Sequence, residues 1–409
     1  MDPTTSRQRI QSLDIVRGFA LTGVFMVNFQ SMIPSTGLEG TANGAAAWFL
    51  QHVVAGKFYR LFAFLFGVGF ALQMRRFEER GAPFVPIYSR RLLVLLVIGV
   101  AHGMLLWPND ILALFAQLGV LLLLIRRVST RWLIVVGIAC LFAAPTNYYV
   151  STGFADFFTV REQVQGAPLP QSISQKTQET GRVRSEGSYR DVVAWNTRYF
   201  LDWQTNRHTR LIMLREEFLM FLFGLYAGRR RLFGRAAELA PFIRRSILGT
   251  LAVGLLTIPT IAWLTDHTAN PVYGHLAITF RQVLRAIQPA ALSLTYGLTA
   301  LHIVERFGLH RLLAPIGSLG RMALTNYLLL SLLVTTAFYN YGLDLSGRVT
   351  VLGGMVMAVV AYGVLTAASS WWLRRYRFGP AEWVWRSLTY ASLQPLRAVR
   401  SSEAPAAYR

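Results

Sequence analysis

The chain has 409 residues, 53% hydrophobic and only 15% charged, with a formal charge of +21. Soluble domains carry about 25% charged residues, so an ordinary soluble enzyme is excluded. The abundance of Leu, Phe and Val excludes the nucleic-acid binder that the basic balance alone would suggest. The composition is that of an integral membrane protein.

Ten segments are apolar enough to be read as spans of a bilayer, which needs about 20 such residues. In chain order they are Leu13–Ile33, Phe58–Met74, Leu92–Trp107, Ile111–Ile125, Trp132–Val150, Leu211–Gly228, Ile247–Leu264, Ala286–Val304, Met322–Phe338 and Thr350–Leu373. The third and fourth are separated only by Pro108, Asn109 and Asp110, a tight helical hairpin. The first follows Arg7 and Arg9 but carries Asp14 and Arg17 and lacks a small-residue cleavage pattern, so it reads as a retained helix, not a signal peptide. The predicted fold is all-α and polytopic, one transmembrane domain over residues 1–409.

Nearly all of the 41 basic residues are arginine, Lys57 and Lys176 being the exceptions. With both termini in the cytoplasm, the inner segments hold 26 basic residues and the short outer loops hold four, Lys57, Arg281, Arg285 and Arg348. This asymmetry predicts ten spans with both ends inside. The long outer loop, 151–210, begins with a polar part (163–189) read as mobile. It continues into residues 190–207, where Val192, Trp195, Tyr199 and Trp203 recur at helical spacing as an amphipathic interfacial helix. Ala45–Val54 is a weaker case of the same kind, and 374–409 reads as a basic cytoplasmic tail. Gly18 and the Gly67–Gly69 pair read as helix-packing positions.

Charged groups inside a bilayer are costly and should face a partner or a cavity. Asp14 and Arg17 are three apart on one helical face and can pair. Asn28, Arg60, His102, Glu216 and Glu217 fall in the outward halves of their spans, Asp110 caps the hairpin, and Arg281 and Arg285 lead into the eighth span, which together predict a polar chamber opening outward. Imidazole titrates near neutral pH, so His102 is a candidate general acid or base. Asp110, eight residues on across the hairpin turn, can orient it or can cap the following helix. Glu216 and Glu217 can equally serve as ion-pair partners of Arg281 and Arg285. The one cysteine, Cys140, excludes a disulfide framework and a cysteine-based metal site, and no metal is predicted.

The opening from Arg9 through Leu13-Asp14-Ile15-Val16-Arg17-Gly18 to Asn28 resembles the YeiB-like family of bacterial membrane proteins (domain of unknown function 418). The likeness continues through Gly56–Phe62, Phe66-Gly67, Arg90-Arg91, Gly99, His102 and Asn109–Leu112. It closes with Gly320–Tyr327, including Asn326, and Phe378–Arg386. The Leu-Asp-x-x-Arg-Gly opening is also similar to that of heparan-α-glucosaminide N-acetyltransferases and acyltransferase-3 proteins. That resemblance implies transfer of an acyl group from cytoplasmic acyl-CoA or acetyl-CoA to an extracytoplasmic or membrane-embedded sugar, lipid or amine. Where acyltransferase-3 proteins place a catalytic histidine, this chain has Asn28. The N-acetyltransferases place theirs in a following loop, where this chain has His52 without the surrounding motif. The histidine role is therefore open between His102 and His52.

On the enzyme reading, His102 with Asp110 is the acid–base pair and Asn28 or Arg60 stabilises the oxyanion. Asp14, Arg17, Glu216, Glu217, Arg281, Arg285 and Asn326 then contact substrate. A transporter of a small solute or lipid-linked molecule through the same chamber is the alternative, and a non-catalytic binding protein a third. The expected partners are membrane lipids, a small-molecule or lipid-linked acceptor and a second copy in a homodimer, with no nucleic acid. The expected location is the bacterial inner membrane.

Overall fold

The computed structural model describes residues 10–33, 41–133, 135–141, 171–205, 207–267 and 274–397, with the side chains of 171–177, 207–214 and 275 outside the description. Among the described residues every element is helical, and the sole extended pairing is an isolated antiparallel bridge between Tyr376 and Arg397. In chain order the helices are α1 (Gln11–Gln30), α2 (Ala42–Phe49), α3 (Phe58–Glu79), α4 (Phe84–Leu105) and α5 (Leu112–Leu124). Then come α6 (Thr130–Leu141), α7 (Gln171–Glu186), α8 (Tyr189–Thr205), α9 (Arg207–Arg229), α10 (Ala240–Asp266) and α11 (Gly274–Arg306). The chain continues with α12 (Ala314–Arg321), α13 (Ala323–Phe338), α14 (Val351–Leu373) and α15 (Pro380–Tyr390).

Six helices are long and apolar enough to cross a membrane, counting α2 and α3 as one continuous stretch, Ala42–Glu79. The bent pair α12–α13 makes a seventh, its two arms meeting at 81° around Met322. Helix α5 has 13 residues, about 20 Å at 1.5 Å per residue, against a hydrocarbon core of about 30 Å. The predicted fifth span, Trp132–Val150, is described only as far as residue 141.

Helix α1 lies at the centre of the bundle, against α3, α11, α12, α13 and α14. Two crossings are so close that only glycine fits. A Cβ on Gly67 of α3 would meet Phe221 O at 2.3 Å, and one on Gly224 of α9 would meet Phe64 O at 2.0 Å. Gly18 and Gly320 bring α1 and α12 together in the same way. Between lipid-bathed helices there is little hydrophobic drive, so backbone approach of this kind supplies the packing. The outer faces of α10 and α14 are bare hydrocarbon, with Leu248, Leu256, Val359 and Val364 exposed, as lipid-facing surfaces require.

Two regions differ from the reading of the sequence. Part of the polar loop expected to be mobile is helix α7, which packs on α8. Helix α8 occupies the predicted amphipathic stretch, but its apolar side is used inside the protein: Val192, Trp195 and Phe200 are buried against the neighbouring helices, mainly α4. The tail is likewise folded back in part. Helix α15 docks on α4 and α13, and Trp385 Nε1 donates to Arg91 O at 2.9 Å. Residues 1–9 and 398–409 lie outside the description.

Candidate functional site

The hairpin turn between α4 and α5 builds the first part of the site. His102, on the last turn of α4, is 3% exposed, and Asp110, just before α5, is 1% exposed. Asp110 Oδ1 lies 2.8 Å from His102 Nδ1, and Asp110 Oδ2 accepts from Ala113 N at 2.7 Å. One carboxylate thus orients the imidazole and caps α5 at once. The ring's other nitrogen, Nε2, lies 2.9 Å from Ser331 Oγ on α13, and Tyr327, one turn earlier on α13, packs its ring 5.0 Å from the imidazole. With the proton of Nδ1 directed at Asp110, Nε2 is the acceptor of the serine hydroxyl. That is the order of a Ser-His-Asp chain. Ser331 is fully buried and has a second acceptor in reach, Tyr327 O at 3.3 Å.

A second cluster joins α3 to α9. Arg60 donates to Gly56 O at 2.7 Å, forms an ion pair with Glu216, and places Nε 3.5 Å from Glu217 Oε1. Arg215 reaches Glu216 Oε1 at 3.1 Å. Arg60 and Glu217 are both buried, and taking such charges out of water is tolerable only because they are paired. Glu217 Oε2 has no well-aligned donor among the described residues.

Two cavities lie on either side of the His102 turn. The arginine cavity, about 270 Å³, is lined by Arg17, Arg91, Arg321 and Arg386, with Glu382 as its one carboxylate. Arg91 stacks 3.6 Å from the Trp385 ring, and Arg17 is held by Asp14 at 3.0 Å and lies 3.4 Å from Gly320 O. Glu382 accepts from Leu324 N at 2.8 Å, Thr325 N at 3.2 Å and Thr325 Oγ1 at 2.5 Å, so it caps the start of α13. Burial of this carboxyl raises its pKa above the ordinary glutamate range, although these hydrogen bonds pull it down. The aromatic cavity, about 260 Å³, has Tyr59, Trp107, Trp203 and Tyr327 in its wall together with Asp110, Glu217 and Asn28, and no basic side chain. Val24, Ile111 and Tyr327 line both cavities, so a thin septum built around Tyr327 separates them.

The profile of the family described as "Protein of unknown function (DUF418)" matches residues 227–392. The chain is 30% identical over 428 residues to "Uncharacterized protein YxaH" of Bacillus subtilis (strain 168), covering 97% of this chain and 98% of that protein. The chain belongs to the DUF418, YeiB-like family. It is also 26% identical to "Uncharacterized protein YeiB" of Escherichia coli (strain K12), over 95% of this chain and 98% of the relative. A protein described as "Uncharacterized 39.9 kDa protein in amylase 3'region" of Bacillus acidopullulyticus is 29% identical over 97% of this chain.

The predicted site residues divide into those drawn together and those that are not. Asp110, Asn28 and Glu217 line the aromatic cavity and Arg17 the arginine cavity; His102 lines neither and stands behind their wall, against Asp110 and Tyr327. Arg60 is engaged by Gly56 and the two glutamates and lines neither cavity. Glu216 and Glu217 take Arg60 and Arg215 as ion-pair partners. Arg285 is exposed on α11, Arg281 is half-buried there, and neither lines either cavity. Asn326 is a structural lock: Nδ2 donates to Leu319 O at 3.1 Å and Ser369 Oγ at 2.9 Å, tying the α12–α13 break to α14. His52 stands exposed in a π-helical turn, Leu50–Val54, stacked on Trp48 and away from the cavities. Sequence reasoning missed Ser331, Tyr327 and Glu382. The two motif residues, Tyr327 and Glu382, could have been found in the quoted resemblance; Ser331 carries no local signal.

Proposed function

We propose that the protein is a multi-spanning acyltransferase that takes an acyl group from acyl-CoA or acetyl-CoA and passes it to an acceptor on the other side of the Tyr327 septum. The observation that carries this reading is the pair of cavities, one lined by four arginines and the other by aromatic rings and carboxylates, meeting beside the His102–Asp110 pair. Guanidinium groups match phosphate oxygens, which suits the arginine cavity to the phosphates of the donor. The basic asymmetry of the sequence supports a topology of ten spans in a bacterial inner membrane, with that cavity and both termini on the cytoplasmic side and residues 151–210 outside.

On this reading the acceptor hydroxyl or amine attacks the thioester carbonyl. Its proton goes to His102 Nε2 while Asp110 supports the charged ring, the carbon–sulfur bond breaks, and the leaving thiolate takes the proton as free thiol. Ser331 can release Nε2 without losing a hydrogen bond, because Tyr327 O is its alternative acceptor. Asn28, whose Nδ2 has no hydrogen-bond partner among the described residues, is the donor placed for the oxyanion.

The test is thiol release from acyl-CoA by the purified full chain in detergent, followed by acyl analysis of added acceptors. Arg91→Ala and Arg386→Ala should each raise the donor KM by about tenfold or more, the worth of one charge-assisted hydrogen bond. Two cavities in series across one septum also suit a transporter. If thiol release is absent while proteoliposomes exchange a labelled solute, the transport reading replaces this one.

A further inference from the structure

We infer that the aromatic cavity binds a small organic ammonium ion. The inference deepens the acyl-transfer reading by naming the chemistry of the group bound on the acceptor side, and it concerns a cavity wall that can be probed without any acyl donor.

The lining decides between ligand classes. An anion would need a cation or a set of free donors; no Arg, Lys or His lines this cavity, and Asn28 Nδ2 is a single amide donor, not a set. Its charged members are Asp110 and Glu217, both carboxylates and both buried. Asp110 is committed to His102 and Ala113. Glu217 is not fully committed: Arg60 Nε faces Oε1 and the Tyr59 hydroxyl hydrogen-bonds to the carboxyl group, while Oε2 has no well-aligned donor among the described residues and belongs to a side chain 2% exposed. A buried carboxylate oxygen left without a donor is costly, and it lines a cavity large enough to hold the missing partner.

The rest of the wall points the same way. Tyr59, Trp107, Trp203 and Tyr327 come from α3, the α4–α5 turn, α8 and α13, so four separate parts of the chain bring aromatic side chains to one cavity. Aromatic faces carry negative potential and attract alkylammonium groups more than neutral groups of the same shape, by about 0.5–2 kcal/mol. A carboxylate beside an aromatic wall, with the nearest guanidinium behind it rather than in the cavity, is the surrounding a positive nitrogen requires. The arginine cavity, beyond the Tyr327 septum, has the opposite preference.

Choline is the probe, and its neutral carbon isostere dimethylbutanol is the control. Trp107 and Trp203 serve as built-in reporters of binding to the full chain in a maltoside detergent. Choline should alter tryptophan fluorescence saturably and bind about tenfold more tightly than dimethylbutanol. Glu217→Gln should abolish that preference. Because Glu217 also supports Arg60, Trp203→Leu is the second variant: it leaves every ion pair intact and should weaken choline binding about threefold or more. A free amine and a lipid headgroup share this chemistry, so the titration is repeated in nanodiscs of phosphatidylcholine and of phosphatidylglycerol. A response to free choline assigns a soluble ligand. A response confined to phosphatidylcholine nanodiscs, and lost in Trp203→Leu, assigns a headgroup. Either supports the proposal. Equal affinity for dimethylbutanol, no response to any probe, or choline binding unchanged in both variants overturns it. Thiol release from acyl-CoA is measured separately, so failure of this proposal and failure of the acyl-transfer reading are told apart.

Discussion

Asp110 holds His102 with one carboxylate oxygen at 2.8 Å while its other oxygen caps α5 through Ala113 N at 2.7 Å. The imidazole orientation and the start of the next helix therefore depend on the same group. Asparagine is nearly the same shape but offers one oxygen only, so Asp110→Asn must lose either the ring contact or the cap. It should destabilise the protein by about 1–3 kcal/mol and lower acyl transfer by at least about a hundredfold. Thermal unfolding in detergent and thiol release check the two effects; an unaltered rate would remove His102–Asp110 from the chemistry.

Gly99 sets how near that turn can come. A Cβ there would meet Ala113 N at 2.3 Å and Asp110 Oδ2 at 2.7 Å. A Cβ on Gly103, one turn on, would meet only the Phe200 ring, at 2.5 Å. Backbone yields less readily than a ring, so Gly99→Ala should cost more than Gly103→Ala, about 1–3 kcal/mol for the former. It should also reduce activity in parallel with Asp110→Asn. Matching losses in the two glycine variants would show that helix spacing, not the position of Asp110, is what matters.

Arg60 is placed to test stability, since it lines neither cavity. Arg60→Ala strands Glu217, and the expected loss is about 3–5 kcal/mol. Combining Arg60→Ala with Glu217→Gln removes the stranded charge and should recover a substantial part of it. A double variant no more stable than the single one would mean that the ion pair is not what holds α3 to α9.

Glu382 gives a pH signature. Burial raises its pKa in the folded protein above the unfolded value, so its contribution to stability is fully present below the unfolded pKa and is lost as pH rises through the folded one. Docking of α15 should therefore weaken as pH rises from the ordinary glutamate range. Glu382→Gln, neutral throughout, should flatten this part of the profile. Tryptophan fluorescence reporting Trp385, compared between the two proteins across pH, reads the difference; identical slopes would contradict the assignment.

The helical, membrane-embedded character of the chain was legible in composition, and the His102–Asp110 pair in an eight-residue spacing across a two-helix turn. Glycine packing at Gly18 and Gly67 was legible for the same reason, because close crossings need small residues at fixed positions. Ser331 was not: it sits in an apolar helix 229 residues from His102, and only tertiary packing brings the two together. The bend at Met322 was hidden because Met322 reads as the start of a span, and nothing in Ala314–Arg321 marks that short stretch as a helix packed on α1. Helix α7 escaped because its sequence is largely polar and its contacts, with α8 and through Arg184 with Tyr339 and Asn340, leave no apolar period to read. Arg60 looked like a free outward charge because its partners lie on α9, 156 residues away.

The capping of α13 by Glu382 also bears on the order of assembly. The first amides of α13 wait for a carboxylate made 57 residues later than Thr325, after α14 has been synthesised. Chains are built from the N-terminus and their early parts begin to fold first. The wall of the arginine cavity is therefore among the last features to close, and a nascent chain stalled before Glu382 would hold Arg91, Arg321 and an Asp14-paired Arg17 beside an uncapped helix start, with Arg386 still to be made. Docking of α15 and closure of that cavity are one event.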